Sequence, residues 1–268
     1  MIDPRKAGTV VPASNFQKKF AEKPTHTQFS MKKPHGHPHA HTSAHMIQPQ
    51  NINILIACEE SQAETIAFRE LGFNAFSCDI QPARRGTPQE WHIIQDVTPL
   101  LLGETRFTTE DGTQHVLTKW HFILSHPPCT YLCKVSSNWL VRHTLDGIVI
   151  NQQRLKQMQD AADFFRICLN AKADYIAVEN PIPMRRAGLP RPSCFACPSW
   201  FGVKYTKKTL YWTRNLPPLM AEIDYPNPKE FVHASRGKYR SRTFPQLARA
   251  IARQWGCYIL DDLNRYPR

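Results

Sequence analysis

Two short segments place reactive side chains where proline holds the backbone. Cys129 follows Pro127 and Pro128, and Glu179 leaves an apolar run just before another proline-containing turn. Because consecutive prolines fix the backbone, a thiol that follows them is a preoriented nucleophile. A carboxyl group that is shielded from water can have a raised pKa and donate a proton. Together these groups suit methylation of a pyrimidine at carbon 5: the thiolate adds at carbon 6, the acid protonates N3, and the enamine takes an electrophilic methyl group.

The elements that must position these side chains alternate between strand and helix. Short apolar runs predict buried parallel strands, and apolar residues at helical spacing predict helices between them. The predicted strands are residues 52–57, 73–78, 120–125, 175–178 and 209–213. The predicted helices are residues 61–71, 151–170 and 244–255, and residues 103–112 are predicted as a surface hairpin or loop. This alternation predicts a doubly wound α/β fold.

The first predicted helix has recognisable ends. Ser61 and Glu64 have the spacing of a capping box, in which the serine accepts from the backbone and the glutamate reaches back. Gly72 is placed to end the helix as its C′ residue. With its flanking strands, this helix forms a unit that is typical of a right-handed parallel crossover.

Reactive or acidic residues follow four of the predicted strands. In doubly wound sheets, ligands bind beyond the carboxyl ends of the strands. The residues at these ends are Cys58, Glu59 and Glu60 after the first strand, Asp79 after the second, Pro127–Cys129 after the third and Glu179 after the fourth. Their convergence on one edge of the sheet predicts a functional site there.

At these residues the sequence resembles the C5-cytosine DNA methyltransferases. That family carries its nucleophile in Pro-Pro-Cys and its ring-protonating acid in Glu-Asn-Val. The corresponding segments here are Pro127–Cys129 and Glu179–Pro181, in the same order and each after a predicted strand. More closely, residues 51–257 resemble short methyltransferase-like proteins of phages and prophages. The segments that carry this closer resemblance are Ala57–Glu59, His126–Leu132 and Ser241–Pro245.

The resemblance implies a Rossmann-like class I methyltransferase sheet that binds S-adenosylmethionine and acts on DNA. Asp79 resembles the acid that holds the ribose of the cofactor, and Asp96 resembles the acid that meets its adenine. The implied catalytic residues are Cys129 and Glu179. The implied cofactor-binding residues are Cys58, Glu59, Asp79, Asp96 and Pro127. The implied substrate-binding residues are Pro128, Asn180, Lys207 and Lys208. No metal is expected.

The sequence departs from the family pattern in three places. The glycine-rich turn after the first strand is absent, because Ala57–Gln62 contains no glycine. The Gln-x-Arg-x-Arg element is also absent, and Lys207–Trp212 is the nearest segment to it. Finally, only about thirty residues separate Thr213 from Thr243, where the family carries a long target-recognition domain.

These departures leave three alternatives open. An amino-group methyltransferase, acting for example on N4 of cytosine, carries Asp/Asn/Ser-Pro-Pro followed by an aromatic residue, whereas here Cys129 follows the prolines and the aromatic residue is Tyr131. An enzyme that modifies free pyrimidine nucleotides would need no recognition domain. A catalytically inactive nucleic-acid-binding protein would need no cofactor turn.

The charge of the chain is unevenly distributed. The net charge is +12, of which residues 182–268 carry sixteen Lys and Arg against five acids, whereas residues 51–181 carry eleven against fifteen. A basic region beside an acidic one predicts a phosphate-bearing partner on one side of the molecule.

Residues 1–49 form a predicted disordered tail that precedes the methyltransferase-like domain of residues 50–268. The tail is rich in Pro, His and Lys and lacks apolar periodicity. It holds six of the twelve histidines, four of them alternating between His35 and His41. Cys194 and Cys197 have the spacing of half a zinc site, which Cys133 or His233 would extend, but the sequence does not require one.

The eight cysteines are expected to be thiols in a reducing compartment. The sequence has neither a signal peptide nor an apolar run long enough to span a membrane. It therefore predicts a protein of the bacterial or phage-infected host cytoplasm that has no membrane partner. The sequence does not determine the oligomeric state.

Overall fold

The structure is a computed structural model that describes residues 46–144, 147–205, 208–223 and 243–266. Eleven strands occur in these ranges. In chain order, they are β1 (Asn53–Ala57), β2 (Asn74–Asp79), β3 (His92–Ile94), β4 (Arg106–Thr108), β5 (Gln114–Val116), β6 (Phe122–Ser125), β7 (Val141–Thr144), β8 (Gly147–Ile150), β9 (Tyr175–Asn180), β10 (Cys194–Ala196) and β11 (Thr209–Arg214). Five α-helices accompany them: α1 (Ala63–Glu70), α2 (Thr98–Leu101), α3 (Ser137–Leu140), α4 (Gln152–Leu169) and α5 (Pro245–Arg265).

Seven strands form one sheet in the order β10-β11-β9-β6-β1-β2-β3. Five neighbouring strands, β9, β6, β1, β2 and β3, are parallel, and β11 runs antiparallel to β9. The chain builds outward from β1 to β3, then returns to β6 on the other side of β1 and builds outward again. The strand order therefore reverses between β1 and β6, which is where open α/β sheets bind ligands.

Helices cover both faces of the sheet, so the fold has three layers. On one face α1 and α5 pack together over the sheet, where Trp255 of α5 joins the same core cluster as the strand residues Ile54 and Phe122. On the other face α4 packs over residues such as Leu55 and Ile123. The central strands are buried on both faces, and this explains why β1 reads as a continuous apolar run. The mixed α/β architecture with a mostly parallel sheet confirms the predicted fold class at that level.

Most predicted elements occur within a few residues of their predicted bounds. Helix α4 matches the prediction of 151–170 closely, because its apolar spacing faces the sheet. Helix α5 runs about ten residues past the predicted end at Trp255, and buries Ile259 and Leu263 there. The predicted surface element at 103–112 is part of the β4–β5 hairpin. The sequence analysis missed the β7–β8 hairpin and the three-residue strands β3 and β10.

Half of the predicted capping box at the start of α1 is confirmed, because the Ser61 hydroxyl accepts from Ala63 N–H at 3.4 Å. The other half is wrong: Glu64 does not reach back, and its side chain is fully buried. The backbone N–H of Glu64 donates to Glu59 Oε1 at 2.8 Å, so Glu59 also caps the helix. Gly72 follows the helix at φ +84°, which confirms its role as the C′ residue.

The folded region begins slightly before the predicted boundary at residue 50. Ile47 exchanges two hydrogen bonds with the Asn264 side chain of α5, of 2.7 and 3.1 Å. Residues 46–49 of the predicted tail therefore pack with the domain. The remainder of the predicted tail, including the histidine run, lies outside the described residues.

No helix in the described ranges is both long enough and apolar enough to cross a membrane.

Candidate active site

The segments that follow β6 and β9 are bonded to each other along several residues. Strand pairing ends with Ser125 opposite Val178. Beyond it, the Asn180 side chain donates to the carbonyl of Pro127 at 3.4 Å. Farther on, Met184 N–H donates to the Leu132 carbonyl, at 2.7 Å. A donation from Lys134 N–H to the Ile182 carbonyl and a bridge between Cys133 and Pro183 complete the pairing. The Pro-Pro-Cys turn is thus fixed beside the end of β9, where Glu179 and Asn180 are the last two strand residues.

Cys129 begins a single 3₁₀ turn, Cys129–Tyr131, which the α4 residue Arg154 anchors. The Arg154 guanidinium donates to the Thr130 carbonyl at 2.9 Å and lies 4.3 Å from the centre of the Tyr131 ring. The Cys129 carbonyl accepts from Leu132 N–H at 3.0 Å. The thiol is partly exposed, while Pro127 beside it is buried and Pro128 is exposed. The turn therefore holds a reachable thiol on a well-anchored backbone.

His126 lies between two glutamates at the same edge of the sheet. Its Nε2 is 3.3 Å from Glu64 Oε1, and its Nδ1 is 3.6 Å from Glu179 Oε2. Glu64 is fully buried, whereas the side chains of His126 and Glu179 are about 15% exposed. The backbone N–H of His126 donates to the Ala57 carbonyl, which extends the pairing of β6 with β1. The first parallel strand and its helix therefore contribute to the site directly.

The charges of this cluster are determined by burial and by mutual contact. Burial disfavours the imidazolium of His126, but Glu64 and Glu179 outweigh it and raise the His126 pKa well above its usual value. Burial likewise disfavours the Glu64 carboxylate, but His126 lowers its pKa to about 2. Burial and the adjacent Glu64 charge raise the pKa of Glu59 well above its usual value. At neutral pH Glu64 is therefore ionised, and its charge favours the protonated forms of both His126 and Glu59.

The turn after β1 replaces glycines with strained residues. Cys58 and Gln62 have φ of +62° and +55°, in the left-handed region that favours glycine. The buried Gln62 amide donates to the Ser77 hydroxyl at 3.1 Å and to the Pro88 carbonyl at 3.0 Å, which holds the turn in place. The missing glycines therefore do not remove the sharp turn that a glycine-rich segment would make.

Three of the predicted cofactor residues gather at the ends of β1, β2 and β3. Burial raises the pKa of the Cys58 thiol, and the nearby charges of Cys168, Asp79 and Asp96 add to this shift. The partly exposed Asp79 carboxylate accepts from Gln81 N–H at 2.9 Å. The exposed Asp96 accepts from Thr98 N–H at 2.8 Å, and this contact lowers its pKa. Both acids keep oxygen lone pairs that face solvent.

The fourth predicted cofactor residue, Glu59, has a different environment. Its carboxyl group is buried, and in addition to its bond with α1 it accepts from the Thr65 hydroxyl at 2.7 Å. Its contacts are therefore with α1. Contact between Glu59 and a cofactor remains a prediction.

The predicted substrate residues have different positions. Asn180 is fully buried and pairs with Leu210 of β11. Lys208 lies two residues before Leu210, and because β11 is antiparallel to β9, Lys208 comes at the edge where β9 ends. Its ammonium is 4.0 Å from the centre of the Phe195 ring. Lys207 lies outside the described residues.

Cys194 and Cys197 were the two residues of a possible zinc site. Within the described ranges, no three His, Cys, Asp or Glu side chains are arranged to hold a metal ion. Burial raises the pKa of both thiols, although Lys208 opposes the shift at Cys197. His233, the second candidate ligand, falls among the residues that are not described.

A cavity of about 440 Å³ lies between α1 and the start of α5. Neither Cys129 nor Glu179 lines it. Arg84 and Arg249 contribute guanidinium groups, while Ser61 and Thr243 contribute hydroxyls. Thr243, which lines this cavity, also helps to lower the Glu64 pKa, so the cavity borders the buried Glu64.

The sequence analysis assigned no role to His126 and treated Glu64 as a capping residue. Both belong to the site. The signal for His126 was its position directly after a buried strand, the same signal that identified Asp79 and Glu179. No comparable signal exists for Glu64, because its contact with His126 joins residues 62 positions apart in the chain.

No protein-family model matches the chain, and no curated protein matches it.

Proposed function

We propose that this chain is an S-adenosylmethionine-dependent methyltransferase that modifies carbon 5 of cytosine in DNA, with Cys129 as nucleophile. The observation that carries the proposal is the bonding of the Pro-Pro-Cys turn to the end of β9, which carries Glu179 and Asn180, beside the point where the strand order reverses. A thiol on an anchored turn and a carboxyl group at the end of the neighbouring strand are what addition to a pyrimidine requires.

The chain's own residues would act on the ring in a defined order. The Cys129 thiolate would add to carbon 6, and Glu179 would deliver a proton to N3, which gives carbon 5 enamine character. S-adenosylmethionine would supply the electrophilic methyl group for carbon 5 and would leave as S-adenosylhomocysteine. Loss of the carbon 5 proton to solvent, release of the thiolate and return of the N3 proton through Glu179 would restore the aromatic ring and the free protein.

The residues at the ends of β1, β2 and β3 fit this cofactor. Asp79 offers carboxylate oxygens for the ribose hydroxyls, and Asp96 offers them for the adenine amino group, since both side chains reach solvent. The left-handed backbone at Cys58 would make the sharp turn that glycines make elsewhere. Asp79, Asp96 and Cys58 would hold the cofactor, and Pro127 would lie beside it.

DNA is the proposed substrate because the basic region of residues 182–268 can engage phosphates. A target cytosine in a duplex is hidden by stacking and must be flipped into the pocket. The short segment between Thr213 and Thr243 favours a second candidate, a free pyrimidine nucleotide, since it leaves little chain for reading DNA sequence.

Methyl transfer from labelled cofactor tests the proposal. The protein is incubated with labelled S-adenosylmethionine and either duplex DNA or dCMP, and the product base is identified. The proposal expects 5-methylcytosine in DNA from the wild-type protein and from a Cys133→Ala control, but none from Cys129→Ala. Label on dCMP alone selects the nucleotide, and label on N4 selects the amino-group alternative. Transfer that survives Cys129→Ala refutes the assigned nucleophile.

A further inference from the structure

The histidine between Glu64 and Glu179 has a geometry that the proposed chemistry does not yet use. Its two ring nitrogens contact two different carboxyl groups, at 3.3 Å and 3.6 Å. The second separation is an ion-pair distance, slightly longer than a hydrogen bond. Contacts of this length are common in ligand-free sites and shorten when a substrate binds. A ring that joins a deeply buried carboxylate to an acid at the pocket edge is arranged to move a proton between them.

Resting on the function proposed above, we propose that His126 is a positioning residue that supplies Glu179 with the proton delivered to the pyrimidine. Glu64 stabilises the imidazolium from the interior, and Glu179 receives the proton from Nδ1. The proton therefore comes from His126, and Glu179 is the side chain that lies between His126 and the substrate.

The proton and charge balance of this step is complete. As the C6–S bond forms, the N–H bond at His126 Nδ1 breaks, and Glu179 transfers one proton to N3. The thiolate loses its negative charge and the imidazolium loses its positive charge, so the ring adduct is neutral. When the thiolate leaves, the N3 proton returns through Glu179 to His126.

Other ionisable groups near His126 support the same charge assignment. The elements packed around it contribute Glu64 from α1, Glu59 from the preceding turn, Glu179 from β9 and Tyr211 from β11. Burial raises the pKa of Tyr211 well above its usual value, and Glu179 and Glu64 add to the shift. Tyr211 therefore stays neutral at neutral pH, and His126 is the one group of this set that can carry a positive charge.

The pH profile of methyl transfer tests the role of His126. In the wild-type protein, kcat should fall as pH rises through the His126 pKa. His126→Gln should lower kcat by about 100-fold, leave the cofactor KM within about twofold, and remove that alkaline limb. Glu64→Gln, which keeps the ring but removes its charge partner, should shift the limb to lower pH. His115→Gln, on the separate β4–β5 hairpin, is the matched control and should change neither kcat nor the pH profile.

The outcomes separate the two proposals. A His126→Gln protein that folds and retains the wild-type kcat, or the wild-type pH profile, overturns the proton supply while the proposed function stands. A loss of cofactor affinity without a change in the profile assigns His126 a structural role only, and also overturns it. If the wild-type protein transfers no methyl group to DNA or dCMP, both proposals fail together.

The charge of the ring can be measured without any activity. An NMR titration of the histidines, with His126 assigned from the His126→Gln spectrum, should show an imidazolium that persists well above pH 6.5. Glu64→Gln should lower its midpoint. A ring that titrates near pH 6.5 in the wild-type protein contradicts the proposal, whatever the methylation assay shows.

Discussion

Two regions of the same sheet edge are built on different principles. Where β6 and β9 end beside α1, the acid cluster of Glu59, Glu64, His126 and Glu179 has two fully enclosed glutamates and two side chains that are about 15% exposed, and His126 pairs with Glu64 and Glu179. At the ends of β2 and β3, the open rim of Asp79 and Asp96 presents carboxylates that contact little besides nearby backbone N–H groups. The acid cluster is organised before any ligand arrives, whereas the open rim keeps its oxygen atoms available for one.

This difference follows from what each region must do in the proposed function. Moving a proton requires groups whose charges are fixed by their surroundings, and low solvent access makes those charges interact strongly. Holding hydroxyl and amino groups of a cofactor requires exposed acceptors instead. Substitutions in the acid cluster should therefore affect stability and pH dependence, and substitutions in the open rim should affect binding.

The largest effect is expected from Glu64→Gln. The substitution leaves the His126 imidazolium without its buried partner, and breaking a buried ion pair destabilises by about 3 kcal/mol. Urea unfolding at pH 6 measures the loss. Lys156 and Asp160 form a surface pair on α4, and Asp160→Asn should cost less than about 0.5 kcal/mol. Equal losses in the two variants would remove the distinction between buried and exposed charge.

The acid cluster should also determine how stability depends on pH. The lowered Glu64 pKa contributes stability above the usual carboxyl value of about 4.3, which is lost as pH falls toward 2. The raised His126 pKa contributes stability that is complete below about 6.5 and is lost as pH rises through its folded value. Stability should therefore be greatest at about pH 5 to 6, and Glu64→Gln should flatten both limbs. A wild-type stability that rises steadily from pH 6 to 9 would contradict the charge assignment.

In the open rim, Asp79→Ala should reduce binding with little change in stability. Loss of hydrogen bonds to a carboxylate weakens binding by about 2 kcal/mol, or roughly thirtyfold. Calorimetric titration with S-adenosylmethionine measures the affinity, and thermal unfolding should change by less than about 1 °C. Asp111→Ala, in the β4–β5 hairpin, is an acid outside the rim and should leave the affinity unchanged. An unchanged affinity in Asp79→Ala would remove Asp79 from the cofactor site.

A smaller effect is expected at the turn between the two regions. Cys58→Gly relieves a left-handed backbone but loses side-chain packing, so the free energy of unfolding should change by less than about 1 kcal/mol. Cys78→Gly, in β2 with the side chain fully buried, should cost about 2 kcal/mol. Denaturant unfolding of both variants compares them, and equal losses would show that Cys58 is not strained.

The smallest effect is expected from Asp96→Ala. Its carboxylate accepts one backbone N–H at the start of α2, and because the side chain is exposed the loss should be about 0.5 kcal/mol. Asp96→Asn keeps an acceptor and should lose less. Thermal unfolding of the two variants measures the difference, and a loss above about 2 kcal/mol would place Asp96 in the same class as the acid cluster.

Sequence reasoning recovered the parts of this edge that depend on local pattern. Continuous apolar runs identify strands such as β1. The positions of Asp79 and Glu179 could be predicted because each residue comes at the end of such a run. The partner of Glu64 could not be predicted from the sequence, because its contact with His126 depends on how α1 packs beside the end of β6. The left-handed turn at Cys58 could not be predicted either, because the segment lacks the glycine that normally marks such a turn.

The most direct test of the central claim is covalent capture on DNA that contains 5-fluorocytosine. Fluorine on carbon 5 cannot leave as a proton does, so the reaction should stop after methyl transfer and before the thiolate is released. The account predicts an SDS-stable protein–DNA adduct that requires S-adenosylmethionine, maps to Cys129 by peptide mass, persists in Cys133→Ser and is lost in Cys129→Ser. An adduct that persists in Cys129→Ser, or the absence of any adduct from a wild-type protein that methylates ordinary DNA, would contradict it.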